Sequence, residues 1–465
     1  MNNIRLVNFR NIEDSGDIEL KPLTIFVGKN GSGKSSLLRL FPLLQQSFSV
    51  AKNGPLLWYH EKGVDFGDFQ TTVRHGEKEI KIGFTLSYDK SLCEKAEGFP
   101  VKILLSIVRD EKDNDYDRIS NMVLNYLGNE VSFDYREKGK AIITVNNAEP
   151  KEVRINDSQF SLFPLFSFEE ESKVVGFSEL RDILSNDGKY TQYTEPSDFI
   201  GLSFDDFQEL LADKNFSCNL TSTYNGIVLA YQSSFMFNLY MMLSFHVKNI
   251  TYIGPFRAEP NRYSRLQNLA TQQINKDGSN MAVFVNAMKG KDKDEFNKRL
   301  REKYNFQLKS ESHFGQISLS IIKDGKDVNI IDTGFGYSQL MPVLLALFTF
   351  DMSNVLIGNP FGGEEILCIE QPELHLHPHM QFTLGQSFVD SVKNIAESKS
   401  GKKIILETHS RSIIDAVGYS LSKGEIDASD VVVYLFDVVD GLAKITRSSF
   451  NEDGYLTNWP LGFLD

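Results

Sequence analysis

Apolar and polar positions follow three different patterns along the chain. Between residues 76 and 165, segments such as EIKIGFTLSYD and FPVKILLSIVRD alternate apolar with polar residues, which predicts an antiparallel sheet. Between residues 166 and 310, stretches such as IVLAYQSSFMFNLYMMLSFHV favour helices. Beyond residue 310, short apolar runs such as EEILCIE and KIILET alternate with helical stretches, which predicts a largely parallel sheet covered by helices. The predicted fold class is therefore α/β.

The first 75 residues contain two alternating runs, IRLVNF and IELKPLTIFV, then a glycine-rich loop and a helical stretch. Strands that alternate with helices return only after residue 310. We therefore predict one discontinuous core with halves at 1–75 and 311–465. The intervening residues 76–310 are predicted to be an insertion that is first β-rich and then helical.

The glycine-rich loop lies in FVGKNGSGKSSLLRL, residues 26–40. It has the spacing Gly-x-x-x-x-Gly-Lys-Ser between a strand-like run and a helix, the context of a phosphate-binding loop. Its glycines let backbone N–H groups face phosphate oxygens, its lysine places a positive charge near the terminal phosphates, and its serine hydroxyl can ligate Mg²⁺. The predicted nucleotide-binding residues are Gly28, Asn30, Gly31, Gly33, Lys34, Ser35 and Ser36.

A metal-bound nucleotide also requires an acidic group, and ILCIEQPELHLHP, residues 366–378, offers one. Its apolar run ends at Glu370, as a buried strand ends at the ligand-binding edge of a sheet. We predict that Ser35 and Glu370 hold Mg²⁺. Two further motifs flank this run. In DTGFGYSQLMPVL, Gly334 and Gly336 precede a helix with Ser338 near its start, and KIILETHSRSII is a second buried run that leads to His409.

The order of these motifs resembles that of ABC-type ATPases, in particular their SMC-like and OLD-like branch. GFGYSQ stands where that family carries its signature motif, IEQPE resembles its Walker B motif, and ETHS resembles its switch histidine. The resemblance implies an ABC-type ATPase core, a mixed β-sheet with flanking helices, that uses ATP and Mg²⁺. It also implies that Gly336, Ser338 and Gln339 contact the nucleotide of a second copy, in a homo-oligomer built on ATP-bridged dimers.

Three segments carry a narrower resemblance: YIGPFRAEP (252–260), IEQPELHLHP (369–378) and DGYLTNWPLGFLD (453–465). They resemble a group of predicted bacterial ATPases found in antiphage defence loci, with the ATPase subunits of PARIS, the phage anti-restriction-induced system, as the nearest group. This resemblance implies a sensor or switch subunit. Such a subunit would respond to a phage-encoded trigger protein and control a Toprim-type nuclease partner in trans.

One position departs from the ABC-type pattern. Many members carry a second acid directly after the Walker B acid, where it positions the attacking water, and this chain has Gln371 there. An amide can orient water but cannot accept its proton. We therefore expect slow hydrolysis, with Glu370, Gln371 and His409 as the catalytic residues and Glu373 or the nearby histidines as further candidates.

Other polar residues near these motifs have weaker signals. His375, His377 and His379 have the spacing of a metal site, but the resemblance places them in a dimer-facing loop. Arg257 and Arg411 are candidate cations for a phosphate or an interface.

Composition restricts the class of partner. The net charge is −13, which argues against a surface covered by nucleic acid. The stretch 288–303 has seven Lys or Arg against four Asp or Glu, which is more typical of a solvated helix face than of a DNA-binding patch, so DNA stays an open partner. The three cysteines, Cys93, Cys218 and Cys368, have no disulfide or zinc spacing. The N-terminus lacks a secretory apolar region and the apolar runs are short, so we expect a cytoplasmic protein with no membrane contact.

Three alternative functions compete with the switch. A DNA-repair ATPase of the SMC type would carry long heptad arms, and the insertion has no sustained heptad pattern. A nuclease fused to its ATPase, as in OLD proteins, would need a Toprim domain, and the 56 residues after His409 are too few for one of roughly a hundred residues. A transporter subunit would typically be shorter and lack such an insertion.

Overall fold

The computed structural model describes residues 1–50, 52–88, 98–110, 116–137, 139–154, 174–186, 193, 195–212, 214, 216–266, 273–353, 364–451 and 453–458, apart from the side chains at 136 and 137. Cys93 and residues 459–465, part of the C-terminal segment used above for the resemblance, lie outside this range.

The described strands, in chain order, are β1 (Asn3–Phe9), β2 (Ile12–Asp14), β3 (Ile18–Glu19), β4 (Leu23–Gly28), β5 (Glu79–Tyr88), β6 (Phe99–Arg109), β7 (Asp117–Tyr126), β8 (Asn129–Glu137), β9 (Lys140–Val145), β10 (Lys151–Arg154), β11 (Ile250–Ile253), β12 (Ser264–Arg265), β13 (Gln307–His313), β14 (Gln316–Lys323), β15 (Lys326–Asn329), β16 (Ile366–Glu370), β17 (Lys403–Thr408), β18 (Val431–Val439) and β19 (Leu442–Ser448).

The described α-helices are α1 (Lys34–Leu38), α2 (Leu40–Ser49), α3 (Phe69–Thr72), α4 (Phe177–Asn186), α5 (Phe204–Leu211), α6 (Leu220–Ala230), α7 (Gln232–Lys248), α8 (Met281–Ala287), α9 (Gly290–Tyr304), α10 (Phe335–Met352), α11 (Pro378–Ser398) and α12 (Arg411–Ser422). Short 3₁₀ turns lie at Pro196–Phe199, Ile330–Asp332 and Ala428–Asp430.

A six-stranded sheet forms the centre of the molecule, in the order β11-β16-β17-β4-β18-β19. Its first five strands are parallel, and β19 returns antiparallel to β18. Every residue of β4, β16 and β17 is buried, because alternate side chains enter two separate hydrophobic cores. In β4, Phe26 belongs to one core, and Ile25 and Val27 belong to the other. Burial on both faces explains why these strands are continuous apolar runs rather than alternating ones.

Helices α10, α11 and α12 contribute to the core on one face of this sheet, and α2, α7 and a second sheet contribute to the core on the other. The second sheet has nine antiparallel strands in the order β10-β9-β8-β7-β6-β5-β1-β2, with β3 paired to β1. Aromatic packing joins it to α7, with the rings of Tyr126 and Phe235 4.6 Å apart. The α/β class, the mixed sheet with flanking helices and the antiparallel sheet followed by helices are therefore confirmed.

Two sheet memberships were not anticipated. Strand β1 pairs with β5, so the N-terminal strands extend the antiparallel sheet. Strand β11 lies within 76–310 but pairs with β16 in the central sheet.

A smaller sheet of β12, β14, β13 and β15 packs against α8 and α9. The domain boundaries at 75/76 and 310/311 stay a prediction.

Helix α10 is long and apolar enough to cross a membrane by length and composition, and so is the bent pair α6 and α7 if the two are counted as one span. In α10, however, 67% of the apolar 18-residue stretch is buried inside the protein, which is typical of a core helix.

Candidate nucleotide site at the edge of the central sheet

The loop between β4 and α1 has the backbone of a phosphate cradle. Gly28 lies so close to β18 that a Cβ atom there would be 2.2 Å from the carbonyl oxygen of Phe436, so any side chain would displace that strand. Gly33 has φ of +99° at the start of α1, a conformation that favours glycine. Asn30 and Gly31 are exposed, and the Asn11 side chain donates a hydrogen bond to the carbonyl of Gly31 at 3.0 Å. The residues between the buried strand β4 and helix α1 thus form a loop whose tip, at Asn30 and Gly31, is exposed.

Lys34 lies inside this loop. Its ammonium group donates hydrogen bonds to the carbonyl oxygens of Gly28 at 2.9 Å and Lys29 at 2.7 Å, and the residue is only 3% exposed. Burial lowers the pKa of Lys34, and the nearby carboxylates of Glu407, Glu373 and Glu370 act in the opposite direction. A positive charge therefore lies at the centre of the cradle.

Strand register places two carboxylates next to each other at this edge. Strands β16 and β17 run parallel with Glu370 opposite Glu407, and Thr408 of β17 lies opposite Val27 of β4. The ends of the three strands are consequently level with the loop.

Glu370 is held by two side chains. The Nε and Nη2 atoms of Arg39 donate to its two carboxylate oxygens, each at 2.7 Å, and the Tyr252 hydroxyl donates at 2.7 Å. Arg39 follows the last residue of α1, and Tyr252 belongs to β11. The hydrogen bond to Glu370 raises the pKa of Arg39, and burial raises the pKa of Tyr252.

Glu407 contacts the serine of the loop. The Ser35 hydroxyl donates to Glu407 Oε1 at 2.9 Å, whereas Glu407 Oε2 is buried and has no hydrogen-bond partner among the described residues. Burial, followed by the charge of Glu370, raises the pKa of Glu407 to about 7. Of the two predicted metal ligands, Ser35 therefore hydrogen-bonds to Glu407, and Glu370 is bound by Arg39 and Tyr252.

The remaining predicted catalytic residues surround these acids. Gln371 is half-buried with φ of +43°, its N–H donates to the Glu407 carbonyl at 2.8 Å, and its carbonyl lies 3.4 Å from Arg257 Nη2. Glu373 accepts from the hydroxyl of Thr408 at 2.8 Å and from the N–H of His409 at 2.7 Å. Burial raises the pKa of Glu373.

His409 is neutral near pH 7. Burial, with the Lys34 charge as second cause, lowers its pKa to about 4. Its Nε2 is buried and, in the part of the chain that the structure describes, has no hydrogen-bond partner. Arg257 Nη2 also donates to the Glu370 carbonyl at 3.0 Å, and burial lowers the pKa of Arg257 to about 10. Arg411, in contrast, has a side chain that is 73% exposed and lies 3.6 Å from Asp415.

The glycine-serine motif lies at the start of α10. Ser338 is 3% exposed and its hydroxyl donates to the Phe335 carbonyl at 2.9 Å, and Gln339 is also buried. Gly336 faces the carbonyl of His375, and the rings of Phe335 and His375 are 6.0 Å apart. In the part of the chain that the structure describes, no hydrogen bond or ion pair joins Gly336, Ser338 or Gln339 to the phosphate loop.

The described residues include no group of three or more His, Cys, Asp or Glu side chains arranged to hold a metal ion. His377 instead caps α11, where its Nδ1 accepts from the N–H of His379 at 3.4 Å.

Sequence reasoning missed Glu407, Arg39 and Tyr252. The signal for Glu407 was present, since an acid in the otherwise apolar run KIILET is costly to bury unless it has a function. For Arg39 and Tyr252 no signal was available, because their contact with Glu370 spans 331 and 118 residues.

The residues fit a magnesium nucleotide. The loop places a buried lysine, glycines and a helix start around the space a polyphosphate needs, and Ser35 with the unpartnered Glu407 oxygen offers the oxygen ligands that Mg²⁺ prefers.

A model of the family described as AAA ATPase domain matches residues 1–414. The chain is 22% identical over 409 residues to endonuclease GajA of Bacillus cereus (strain HuB5-5), covering 76% of this chain and 55% of GajA. It is 30% identical over 106 residues to the retron Vc95 probable ATPase of Vibrio cholerae serotype O1 biovar El Tor, covering 22% of this chain and 18% of that protein. The chain thus spans about half the length of the first relative and less of the second.

Among solved structures, the SMC head domain from Thermotoga maritima is similar with a TM-score of 0.38 and 12% identity, covering 96% of this chain and 98% of that one.

The raised pKa of Glu407 predicts a pH-dependent stability. The ordinary carboxyl pKa of 4.5 applies in the unfolded chain, and folding raises it to about 7, so folding favours the protonated form. Stability is then lost as pH rises from 4.5 through 7, by roughly 3 kcal/mol at most. The Glu407→Gln variant does not titrate at this position, so it does not lose stability in this way as pH rises. Its amide oxygen can still accept the hydrogen bond from Ser35. We expect its advantage in Tm over the wild type, measured without nucleotide, to be larger at pH 8 than at pH 5.

Glu397→Gln, on an exposed position of α11, is the matched control and should follow the wild type at both pH values. A Glu407→Gln advantage that stays constant between pH 5 and 8 would contradict the assignment.

Proposed function

The chain belongs to the AAA ATPase domain family, and from that premise we propose that it is the nucleotide-dependent switch subunit of an antiphage defence system. The observation that supports this most directly is the cradle of Lys34 and Ser35 beside two buried carboxylates, separate from the glycine-serine helix start, where Gly336 is half-buried and Ser338 buried. The chain is an ATPase, and the proposal adds what its ATP cycle controls.

The proposed nucleotide site uses the loop. Backbone N–H groups from Gly28 to Ser36, among them those of Asn30, Gly31 and Gly33, bind the phosphate oxygens, and Lys34 exchanges its hydrogen bonds with the loop carbonyls for the terminal phosphates. Ser35 and a carboxylate hold Mg²⁺, which when bound neutralises phosphate charge.

Hydrolysis depends on what the surrounding residues can do with water. Gln371 orients the attacking water, while its backbone is fixed by Glu407 and Arg257. His409, neutral and with a free Nε2, is able to hydrogen-bond the terminal phosphate or the water. Glu370 is bound by Arg39 and Tyr252 and positions the end of β16.

The proposed active assembly is a dimer in which ATP lies between the cradle of one copy and α10 of the other, with contacts from Gly336, Ser338 and Gln339. The first turn of an 18-residue helix has free N–H groups that attract an anion. Because the Ser338 hydroxyl already donates to Phe335, the backbone N–H groups are the donors that α10 offers first. The first residue of this helix, Phe335, is 59% exposed, which suits burial against a second copy.

The proposed output is control of a Toprim-type nuclease in trans in response to a phage-encoded trigger protein, as in PARIS. Support comes from the sequence resemblance and from the relatives, one named an endonuclease and the other named a probable ATPase of a retron. The alternative, direct DNA binding in repair, would use the basic helix α9. There Arg299 is 2.7 Å from Asp351 of α10 and Lys303 pairs with Asp390 of α11, so part of the basic charge is already engaged.

Lys34→Ala tests whether nucleotide binding drives the function. Removing the ammonium group at the centre of the loop should weaken binding of a fluorescent ATP analogue by about tenfold to hundredfold, because a hydrogen bond to a charged group contributes 1.5–3 kcal/mol. Protection of cells against phage should be lost together with binding.

Lys29→Ala is the matched control, since the Lys29 side chain is 62% exposed and its ammonium group lies 3.9 Å from Asp437. It should bind the analogue within about threefold of wild type. A Lys34→Ala protein that binds poorly but still protects cells would exclude the switch model.

Gly336→Asp tests the bridged dimer. A Cβ at Gly336 would have only the His375 carbonyl within 4 Å, at 3.4 Å, so a side chain fits there. A negative charge in the first turn favours the helix itself but repels the phosphate of a partner. We expect the variant to bind ATP normally and to stay monomeric with a non-hydrolysable analogue in sedimentation experiments. Gly336→Asn, of the same shape without the charge, should still dimerise.

Mixing variants makes this test sharper. A dimer of one Lys34→Ala and one Gly336→Asp subunit has one intact composite site. That site combines the loop of the Gly336→Asp subunit with the start of α10 from the Lys34→Ala subunit. ATPase activity should appear in the mixture although each variant alone is inactive. Activity that does not exceed the sum of the separate variants would argue against a shared site.

The amide at position 371 predicts slow turnover. Because Gln371 cannot accept the proton of the attacking water, we expect steady-state phosphate release well below about 10 s⁻¹, the median for enzymes. A rate at or above that value would show that Gln371 does not limit the reaction.

A further inference from the structure

The acid that the sequence motif assigns to the metal is not free to bind one. Both carboxylate oxygens of Glu370 accept hydrogen bonds, two from Arg39 and one from Tyr252, all at 2.7 Å. Glu370 is 1% exposed. To reach a cation beside Ser35, its carboxylate would have to leave a bidentate guanidinium contact, one of the strongest side-chain interactions.

Glu407 has the opposite surroundings. Its Oε1 already lies 2.9 Å from the Ser35 hydroxyl. The residue is 2% exposed, and no described residue donates a hydrogen bond to its buried Oε2. Within the described part of the chain, no ion pair involves Glu407, since the nearby lysine of the loop donates to the carbonyls of Gly28 and Lys29. A buried carboxylate oxygen with no donor is rare in a folded protein and needs an explanation.

A bound divalent cation would provide that explanation. Mg²⁺ is bound through hydroxyl and carboxylate oxygens together with the phosphates of the nucleotide. We infer that Glu407, rather than Glu370, supplies the protein carboxylate of the Mg²⁺ site beside Ser35. Glu370 is then a positioning residue, which together with Arg39 and Tyr252 fixes the end of α1 against β11 and β16. This inference rests on the proposed function, because it assumes a magnesium nucleotide at the loop.

Manganese can replace magnesium and makes the site measurable without catalysis. The experiment titrates Mn²⁺ into protein saturated with a non-hydrolysable ATP analogue and follows free Mn²⁺ by electron paramagnetic resonance. Glu407→Gln and Glu370→Gln are a matched pair, since each removes one carboxylate charge at nearly constant size. Glu407→Gln keeps an acceptor oxygen for the Ser35 hydroxyl, and Glu370→Gln keeps an acceptor for only one of the two Arg39 N–H groups. We expect Glu407→Gln to weaken Mn²⁺ binding by about tenfold or more, and Glu370→Gln by less than about threefold.

The reverse order, or equal losses in the two variants, would overturn the assignment. If circular dichroism shows that the Glu407→Gln variant is unfolded, the Glu407→Asp variant is used in its place. That variant keeps the charge but withdraws it by one methylene, and it should again weaken Mn²⁺ binding more than Glu370→Gln does. Unchanged Mn²⁺ binding in Glu407→Asp would also overturn the assignment.

The outcome is separable from that of the proposed function. Nucleotide binding by the wild type is measured first, in the presence of Mg²⁺, and its absence would refute the nucleotide site itself. If the wild type binds nucleotide and Mn²⁺, and only the Glu370→Gln variant loses Mn²⁺ binding, then the role assigned to Glu407 is refuted and the nucleotide site is not.

Discussion

Two carboxylates on neighbouring parallel strands, buried at the same edge of a sheet, impose the constraint on which the site depends. Glu370 and Glu407 are opposite each other in register, and both are almost fully buried. Two like charges in such a place are costly unless each is compensated. The chain compensates one with the guanidinium of Arg39 and leaves the other with a raised pKa and an unpartnered oxygen. Because only Glu370 is paired with a guanidinium, Glu370 has a structural role and Glu407 is available to a cation.

The layered fold produces this constraint. Because β4, β16 and β17 are covered on both faces, their polar groups can reach solvent or a ligand only where the strands end. The phosphate loop begins at that end, since Gly28 is the last residue of β4. Lys34, held by the loop carbonyls, and the acids of the adjacent strands therefore meet without any long polar loop to carry them.

How far the sequence could predict this site depended on the range of the contacts. The cradle from Gly28 to Ser36 was predicted because its geometry follows from local spacing, and the structure shows it between a buried strand and a helix. Glu370 was placed correctly at a strand end, but its partner Arg39 depends on packing between elements 331 residues apart. Strand β11 was missed for a similar reason: four residues, ITYI, are too few to show a period, and parallel pairing with β16 fixes their place. Nucleotide binding by the residues from Gly28 to Ser36 stays a prediction. So do the roles of Glu370, Gln371, His409, Gly336, Ser338 and Gln339.

Helix α10 is linked to the site by packed and hydrogen-bonded groups. A Cβ at Gly278 would lie 2.4 Å from the ring of Pro342 within α10, so the backbone of Gly278 is in close contact with that proline ring. The N–H of Ala258 donates to the Asp277 carbonyl at 2.8 Å, and the preceding residue, Arg257, donates to the Glu370 carbonyl.

Close packing leaves little room for one of these groups to move without the next. A second copy that contacts the start of α10 would therefore act on a helix joined through three contacts to the strand end that carries Glu370 and Gln371. Such a route can transmit a signal only if some element along it has two arrangements. Lys34 is not part of this route but lies beside the strand end that the route reaches, and its three N–H donors can be divided in two ways, between the loop carbonyls of Gly28 and Lys29 or with a share given to a terminal phosphate.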